Sequence, residues 1–276
     1  MPVDKLLKRV YELPSIPKVV QELIQHFSST TANAETISKN IQSDPVIAAK
    51  VLRLANSVRY GAGRKVASLD SAVVLLGVDT LKTLVIASGV TGTMKNIPGL
   101  DMREFWRNSF MVANLCKIIA KNSEDCDKEV AFTCGMLHNI GIPLMHLVET
   151  ETMNAIKADV ESGTERIKAE QSRLGYDNNE VGSRLAKIWN FPDLIVDALA
   201  KQTTPMKSKP FSPYAAIIHI AEFINESLSE EIALETVMAD LPEAAVTTLG
   251  VNTYQLFNQL KELIETEDDI DELLAA

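Results

Sequence analysis

The sequence predicts an all-α protein, a multi-helix bundle in which an N-terminal helical subdomain packs on a second helical core. Three observations lead there. Apolar residues recur three and four apart along nearly the whole chain, the spacing of a helix face. No run alternates apolar and polar residues long enough to make a useful strand. Glycine and proline, 12 and 11 residues, make up about 8 % of the chain against roughly 12 % in average proteins. With 46 % apolar residues among 276, the chain has the material for a full-sized core.

The elements follow in order. Ile16, Val19, Val20, Leu23 and Ile24 make one apolar stripe after Pro17, a residue suited to a first helical turn. In SDPVIAAKVLRLANS, Asp44 is placed to cap a helix whose first residue is Pro45, with Ile47, Val51, Leu52, Leu54 and Ala55 on its buried side. Ser68 caps the next helix, which carries Leu69, Ala72, Val73 and Leu76 and stops at Gly77. The apolar run VVLLG (73–77) therefore reads as helix, because a cap and a stop flank it at helical distance. Asp79 is expected to cap a further helix through Leu81, Leu84, Val85 and Val90. The stretch TGTMKNIPGL (91–100) gathers glycine, proline, asparagine and threonine. It is the expected boundary between an N-terminal part, 1–95, and a helical core, 96–228, with C-terminal helices and an acidic tail over 229–276. Within the second block, helices are expected near 101–121, 128–138, 142–159, 164–173, 178–189, 193–202 and 212–227. A proline-rich loop occupies 203–213, and a short helix then precedes a longer one near 253–265.

Composition excludes several classes. A net charge of −10 makes the chain a poor general binder of nucleic acid, since phosphate attraction supplies most non-specific affinity. The charge is uneven: residues 1–100 carry 12 basic and 7 acidic side chains, and residues 101–276 carry 15 and 30. Either the two parts complement each other on packing, or the N-terminal part meets an anionic partner. Cys116, Cys126 and Cys134 are odd in number and lack C-x-x-C spacing, which argues against a disulfide scaffold or zinc ribbon. No apolar signal region opens the chain, and no stretch reaches the ~18 uninterrupted apolar residues of a membrane span. A soluble, cytoplasmic protein with no membrane partner is the expectation. Phosphate-cradling glycine loops and the G-x-S-x-G elbow are both missing, and no cysteine sits beside a histidine base.

Of the four histidines, His26 reads as a surface or capping residue and His146 as a core or boundary residue. His138 is the informative one. It ends an apolar helix in CGMLHNIG, where Gly141 allows a sharp turn. That segment belongs to a longer pattern. The runs LPSIPKVVQELIQ and ISKNIQSDPVIAAKVLRLANSVRYGAGRKVASLDSAVVLLGVDTLKTLV, then FWRNSFMVA, GMLHNIG, GYDNNEVGSRLAKIWNFPDLIVDAL and IIHIAEFI, closely resemble the HDOD family. This is the HD-related output domain, a bacterial signalling branch related to the metal-dependent HD phosphohydrolases, and the resemblance covers roughly residues 7–227.

The resemblance implies where a metal would sit in an HD hydrolase. Its first histidine position falls at Asn108, its His-Asp pair at His138 and Asn139, and a further histidine at Asn178. A His-His pair falls near Lys201 and Gln202, and a late aspartate at Glu222. Of these only His138 and Glu222 are good ligands, whereas catalytic metals typically need three protein ligands and an open position. The expectation is a degenerate pocket with no metal and no cofactor, in which Asn108, His138, Asn139 and Asn178 form a buried hydrogen-bond network. A second surface is the cluster Lys50, Arg53, Arg59, Arg64 and Lys65 around Asn56 and Tyr60. Asn56 and Tyr60 either lock a turn while the basic residues stay solvated, or the patch accepts an acidic protein segment or a nucleotide phosphate. The implied function is a non-catalytic signalling or interaction module whose partner is another signalling protein on a separate chain. The alternatives are a metal-dependent phosphohydrolase with residual activity and a sensor of a nucleotide-like small molecule in the former metal pocket.

Overall fold

In the computed structural model of the chain, residues 2–8, 16–25, 34–42, 44–56, 66–94 and 96–265 are described. All regular structure among them is helical. The N-terminal helices are α1 (Pro2–Leu7), α2 (Lys18–Gln25), α3 (Ala34–Gln42), α4 (Pro45–Ala55), α5 (Leu69–Leu76) and α6 (Val78–Thr93). The second group runs α7 (Met102–Lys121), α8 (Lys128–Leu137), α9 (Gly141–Val148), α10 (Thr150–Glu161), α11 (Arg166–Leu174), α12 (Asn178–Ile188), α13 (Asp193–Lys201) and α14 (Pro213–Ser229). The C-terminal helices are α15 (Leu234–Ala239), α16 (Glu243–Thr248) and α17 (Thr253–Glu265). The acidic tail lies outside the described residues, as does His26.

Short polar side chains start these helices by taking up backbone N–H groups that no preceding turn can satisfy. Asp44 Oδ1 accepts from the N–H groups of Val46 and Ile47, both at 3.1 Å. Ser68 Oγ accepts from Ser71 at 3.2 Å, and Gly77 ends α5 with φ +79°. Asp101, Asp127, Asp177 and Ser212 do the same for α7, α8, α12 and α14.

Three expectations need correction. Asp79 does not cap α6: Gly77 alone links α5 to α6, turning the chain by 117°, so Asp79 already lies in the first turn. The helix expected over 142–159 is two, because Glu149, at φ −126° and ψ 43°, ends α9 and opens α10 at once. The single short helix expected after 230 is also two, α15 and α16, with Pro242 starting the second.

Helix α7 packs along α8, and α14 lies across both. The approach of α8 to α7 requires Gly135, where a Cβ would lie 2.7 Å from Ala113 Cα and 2.8 Å from Cys116 Sγ. Helix α6 is buried at every position from Leu81 to Val90 and joins the N-terminal helices to this core. It packs on α2, α3, α4 and α5 on one side and on α8 on the other. Thr80 Oγ1 donates to the buried Glu129 Oε1 of α8 at 3.2 Å, and Lys117 Nζ reaches the same oxygen at 2.8 Å. The segment Lys128–Val148 is long and apolar enough to cross a membrane, yet 83 % of that window is buried within the fold. Cys116 and Cys134 lie in the same core, where burial pushes both thiols well above their usual range.

Two glycine substitutions test this packing. Gly135→Ala is expected to cost about 1–3 kcal/mol, because the added methyl meets backbone that cannot yield. Gly92→Ala meets only Lys50 Nζ at 3.9 Å and is expected to gain a few tenths, at most about 1 kcal/mol, by restricting the unfolded chain. Urea unfolding midpoints of the two variants should move in opposite directions.

Candidate functional site

The site grows from the end of α8. His138 follows the last residue of that helix in helical conformation (φ −52°, ψ −38°), so its ring folds back on the preceding turn. Its Nδ1 is 2.6 Å from the Gly135 carbonyl oxygen. Only a protonated Nδ1 can donate there, which leaves a lone pair on Nε2. Asn139 donates its Nδ2 to that lone pair at 2.8 Å. The ring is 1 % exposed, and burial holds its pKa down at about 4, so His138 is neutral at pH 7.

The backbone of this turn is tied down from two sides. Gln202 Nε2 donates to the His138 carbonyl at 2.8 Å and to Asn179 Oδ1 at 2.6 Å. On the other side α12 presses against Gly141, where a Cβ would lie 2.3 Å from the Asn178 carbonyl oxygen.

Helices α7, α10, α11 and α14 and the 138–146 segment enclose a cavity of about 590 Å³. Asn108, His138, Asn139 and Glu222 all line it. Glu222 Oε1 lies 3.8 Å from His138 Nε2, but a neutral ring makes this no ion pair. Burial, and then the neighbouring Glu226, push the Glu222 carboxyl up to about 8, although 30 % of the side chain opens into the cavity. Asn108 is exposed on the cavity rim and its Oδ1 accepts from Asn225 Nδ2 at 2.7 Å, joining α7 to α14.

The other two expected pocket residues are elsewhere. Asn178 is buried at the start of α12, where its N–H donates to Glu170 Oε2 at 2.8 Å and its Oδ1 has no partner. Lys201, at the end of α13, bonds to Asp197 and to the Pro210 carbonyl. The expected network of Asn108, His138, Asn139 and Asn178 is thus two separate pairs, His138–Asn139 and Asn108–Asn225, with Asn178 outside them. In both misplaced cases the next residue, Asn179 or Gln202, faces the turn instead. One residue is about 100° around a helix, enough to point a side chain away. Sequence reasoning also missed Asn225, Glu226, Arg166, Lys157 and the cavity role of His146. The only available signal was the spacing of Glu226 one turn after Glu222. Among the described residues, no group of three or more His, Cys, Asp or Glu side chains is placed to share one metal ion.

The N-terminal patch is partly described. Lys50 is half-buried and Arg53 exposed on α4. Asn56 Nδ2 donates to the carbonyls of Leu52 at 2.7 Å and Val66 at 2.8 Å, while its Oδ1 accepts from Val66 N–H at 2.7 Å. Its amide therefore clamps the two ends of the 57–65 segment. Arg59, Tyr60, Arg64 and Lys65 lie outside the described residues.

The pKa shifts carry a sign. Glu222, raised to about 8, binds its proton more tightly when folded, so its contribution is present below about 4.5 and is lost as pH rises through 8. Glu170, raised to about 7 chiefly by burial, acts in the same direction over a shorter window. His138, lowered to about 4, costs stability as pH falls from 6.5 to 4. From pH 7 to 8 the Glu222 effect dominates these three, with an upper limit of about 1.4 kcal/mol per pH unit before the cavity's water is counted. Glu222→Gln is expected to flatten the fall in urea midpoint between pH 7 and 8, and an unchanged slope would contradict the assignment.

A family model described as HDOD domain matches residues 13–205. The crystal structure of an assumed phosphohydrolase from Shewanella amazonensis SB2B is 34 % identical, covers 98 % of this chain and 97 % of its own, and has a TM-score of 0.85. An HDOD domain protein of unknown function from Geobacter sulfurreducens is 21 % identical over 98 % of this chain and 97 % of its own, with a TM-score of 0.84. An assumed signal transduction protein from Marinobacter aquaeolei VT8 is 22 % identical, covers 98 % of this chain and 60 % of its own, and has a TM-score of 0.81. The latter two are alike in fold alone. The chain spans about half the length (46 %) of the curated relative it matches, an uncharacterised protein of Treponema pallidum (strain Nichols), which is 20 % identical over 238 residues, or 84 % of this chain. The match takes in α2 to α13, including α7, α10 and α11 of the cavity but not α14, and the chain belongs to the HDOD family.

Proposed function

We infer that this HDOD protein is a non-catalytic signal-transduction module that acts by binding another signalling protein, a separate chain, and that its cavity occupies the place of a metal site whose ligands have been replaced. Asn139 carries this reading. An aspartate there would offer an oxygen to a metal beside His138; asparagine offers an N–H, and spends it on the Nε2 lone pair a metal would need. What is left is one carboxylate, Glu222, 3.8 Å from a nitrogen already engaged. Asn108, at the position of the first histidine, is occupied by Asn225. Two donors, one of them spent, do not fit a catalytic metal that takes three protein ligands and keeps a place for water. The free, buried Cys116 and Cys134 suit a reducing compartment, in keeping with action in the cytoplasm.

Metal content by mass spectrometry, on protein purified without chelator or histidine tag, tests this reading. Only traces are expected; near-stoichiometric iron, manganese, zinc or nickel would overturn it and bring residual phosphohydrolase activity forward. Asn139→Asp should also remain metal-poor. That variant aims a carboxylate at a lone pair, and a cost of about 1–3 kcal/mol is expected at pH 8. The cost should shrink as pH falls, because a protonated His138 can donate to the new carboxylate. A pH-independent cost would show that the Asn139–His138 bond is not the interaction lost.

A further inference from the structure

The cavity lining brings together the carboxyls of Glu222 and Glu226 and the cations of Arg166 and Lys157, with no ion pair within 4 Å between the two sets among the described residues. Its volume of about 590 Å³ is that of a small-molecule site, for which ~300–1,000 Å³ is usual. On one wall, Glu222 and Glu226 stand one turn apart on α14 and both line the cavity. Among the described residues neither carboxylate has a cationic side chain within 4 Å, the neutral His138 being the only basic group near Glu222. Both carboxyls are held above their usual range, Glu222 by burial and by Glu226, Glu226 by burial and by Glu230 against an opposing effect of Arg166.

Basic side chains, Arg107, Lys157 and Arg166, line the cavity too, and Arg166 is near enough to Glu226 to act on its carboxyl. Among the described residues the ion-pair contacts of Arg166 and Lys157 are long, 3.8 Å to Glu170 and 4.0 Å to Glu161. Their side chains are 39 % and 66 % exposed. His146 also lines the cavity. It is 4 % exposed, and its Nδ1 completes no hydrogen bond. Burial, Arg166 and Lys157 all lower its basicity, outweighing the nearby Pro98 carbonyl, so it offers a neutral ring.

We propose that this cavity binds a small organic zwitterion, taking its ammonium or guanidinium group between Glu222 and Glu226 and its carboxylate or phosphate at Arg166 and Lys157. A simple anion, such as a nucleotide phosphate, leaves the Glu222 and Glu226 carboxyls unused. A simple cation leaves Arg166 and Lys157 unused. A bare metal ion finds two carboxylates on one helix in a space far larger than its coordination sphere. The inference rests on reading the cavity as no longer built round a metal.

Calorimetric titration of the full chain with four probes tests it. L-Arginine joins a guanidinium to a carboxylate, and O-phosphoethanolamine joins an ammonium to a phosphate. Agmatine carries cations only, and inorganic phosphate is an anion only. At least one zwitterion is expected to bind saturably, about tenfold or more tighter than agmatine and phosphate. Which zwitterion prevails identifies the anionic group. Glu226→Gln and Arg166→Gln should each weaken that binding about tenfold or more while cooperative unfolding is retained. The proposal is overturned if agmatine or phosphate binds as tightly as the zwitterions, if binding survives both substitutions, or if no probe binds at millimolar concentration. Metal analysis of the same preparation keeps the two readings apart. A metal-free protein that ignores the zwitterions fails this inference alone, whereas stoichiometric metal fails the reading beneath it.

Discussion

Seven residues of backbone, from Gly135 to Gly141, are held between two contacts that tolerate no side chain. At one end a Cβ would lie 2.7 Å from Ala113 Cα, and at the other 2.3 Å from the Asn178 carbonyl oxygen. Between them sit His138 and Asn139. The spacing leaves the His138 ring one place to go, back toward the Gly135 carbonyl, and that bond selects the tautomer. The tautomer exposes Nε2, and Asn139 then occupies it. Gln202, donating to the His138 carbonyl from α13, closes the last freedom of the turn. Close packing of α7 with α8 and of α9 with α12 thus determines the chemistry of one imidazole.

The electrostatics of the cavity follow from this neutral ring. A charged His138 would pair with Glu222 and lower its pKa; a buried neutral one leaves the carboxylate to face Glu226 alone. Lys157 and Arg166 reach the same cavity from α10 and α11, and Arg166 lowers the Glu226 carboxyl against the effect of burial. Acidic and basic side chains thus line the same cavity.

The N-terminal helices reach the same centre through α6. Because that helix is buried all along 81–90, the N-terminal group and the helices around the cavity share a wall, and Thr80 shares Glu129 with Lys117 across it. Asn56 works at shorter range, as a side-chain clamp that joins the end of α4 to Val66 just before α5. These contacts join the two parts of the chain through α6.

Much of this was legible in the chain itself. Helical periodicity, Asp44 and Ser68 as caps and Gly77 as a stop are local, one-helix properties, and they set the all-α architecture before any contact is known. His138 could be singled out because it ends an apolar helix just before Gly141, and Asn139 because the family resemblance sets it at the aspartate of the His-Asp pair. Properties shared between distant segments were not legible. Whether Asn178 or Asn179, Lys201 or Gln202, faces the turn depends on the rotation of α12 and α13 about their axes, which packing sets and local pattern does not. The pairing of Asn108 with Asn225, and of Glu222 and Glu226 against Arg166, joins residues over fifty or more positions. So the sequence by itself determined the all-α class, the caps at Asp44 and Ser68 and the turn that carries the histidine, while the breaks at Glu149 and Pro242 escaped it. Only the tertiary structure decided what that histidine meets and what charge the cavity leaves open, because both are sums over side chains brought together by packing.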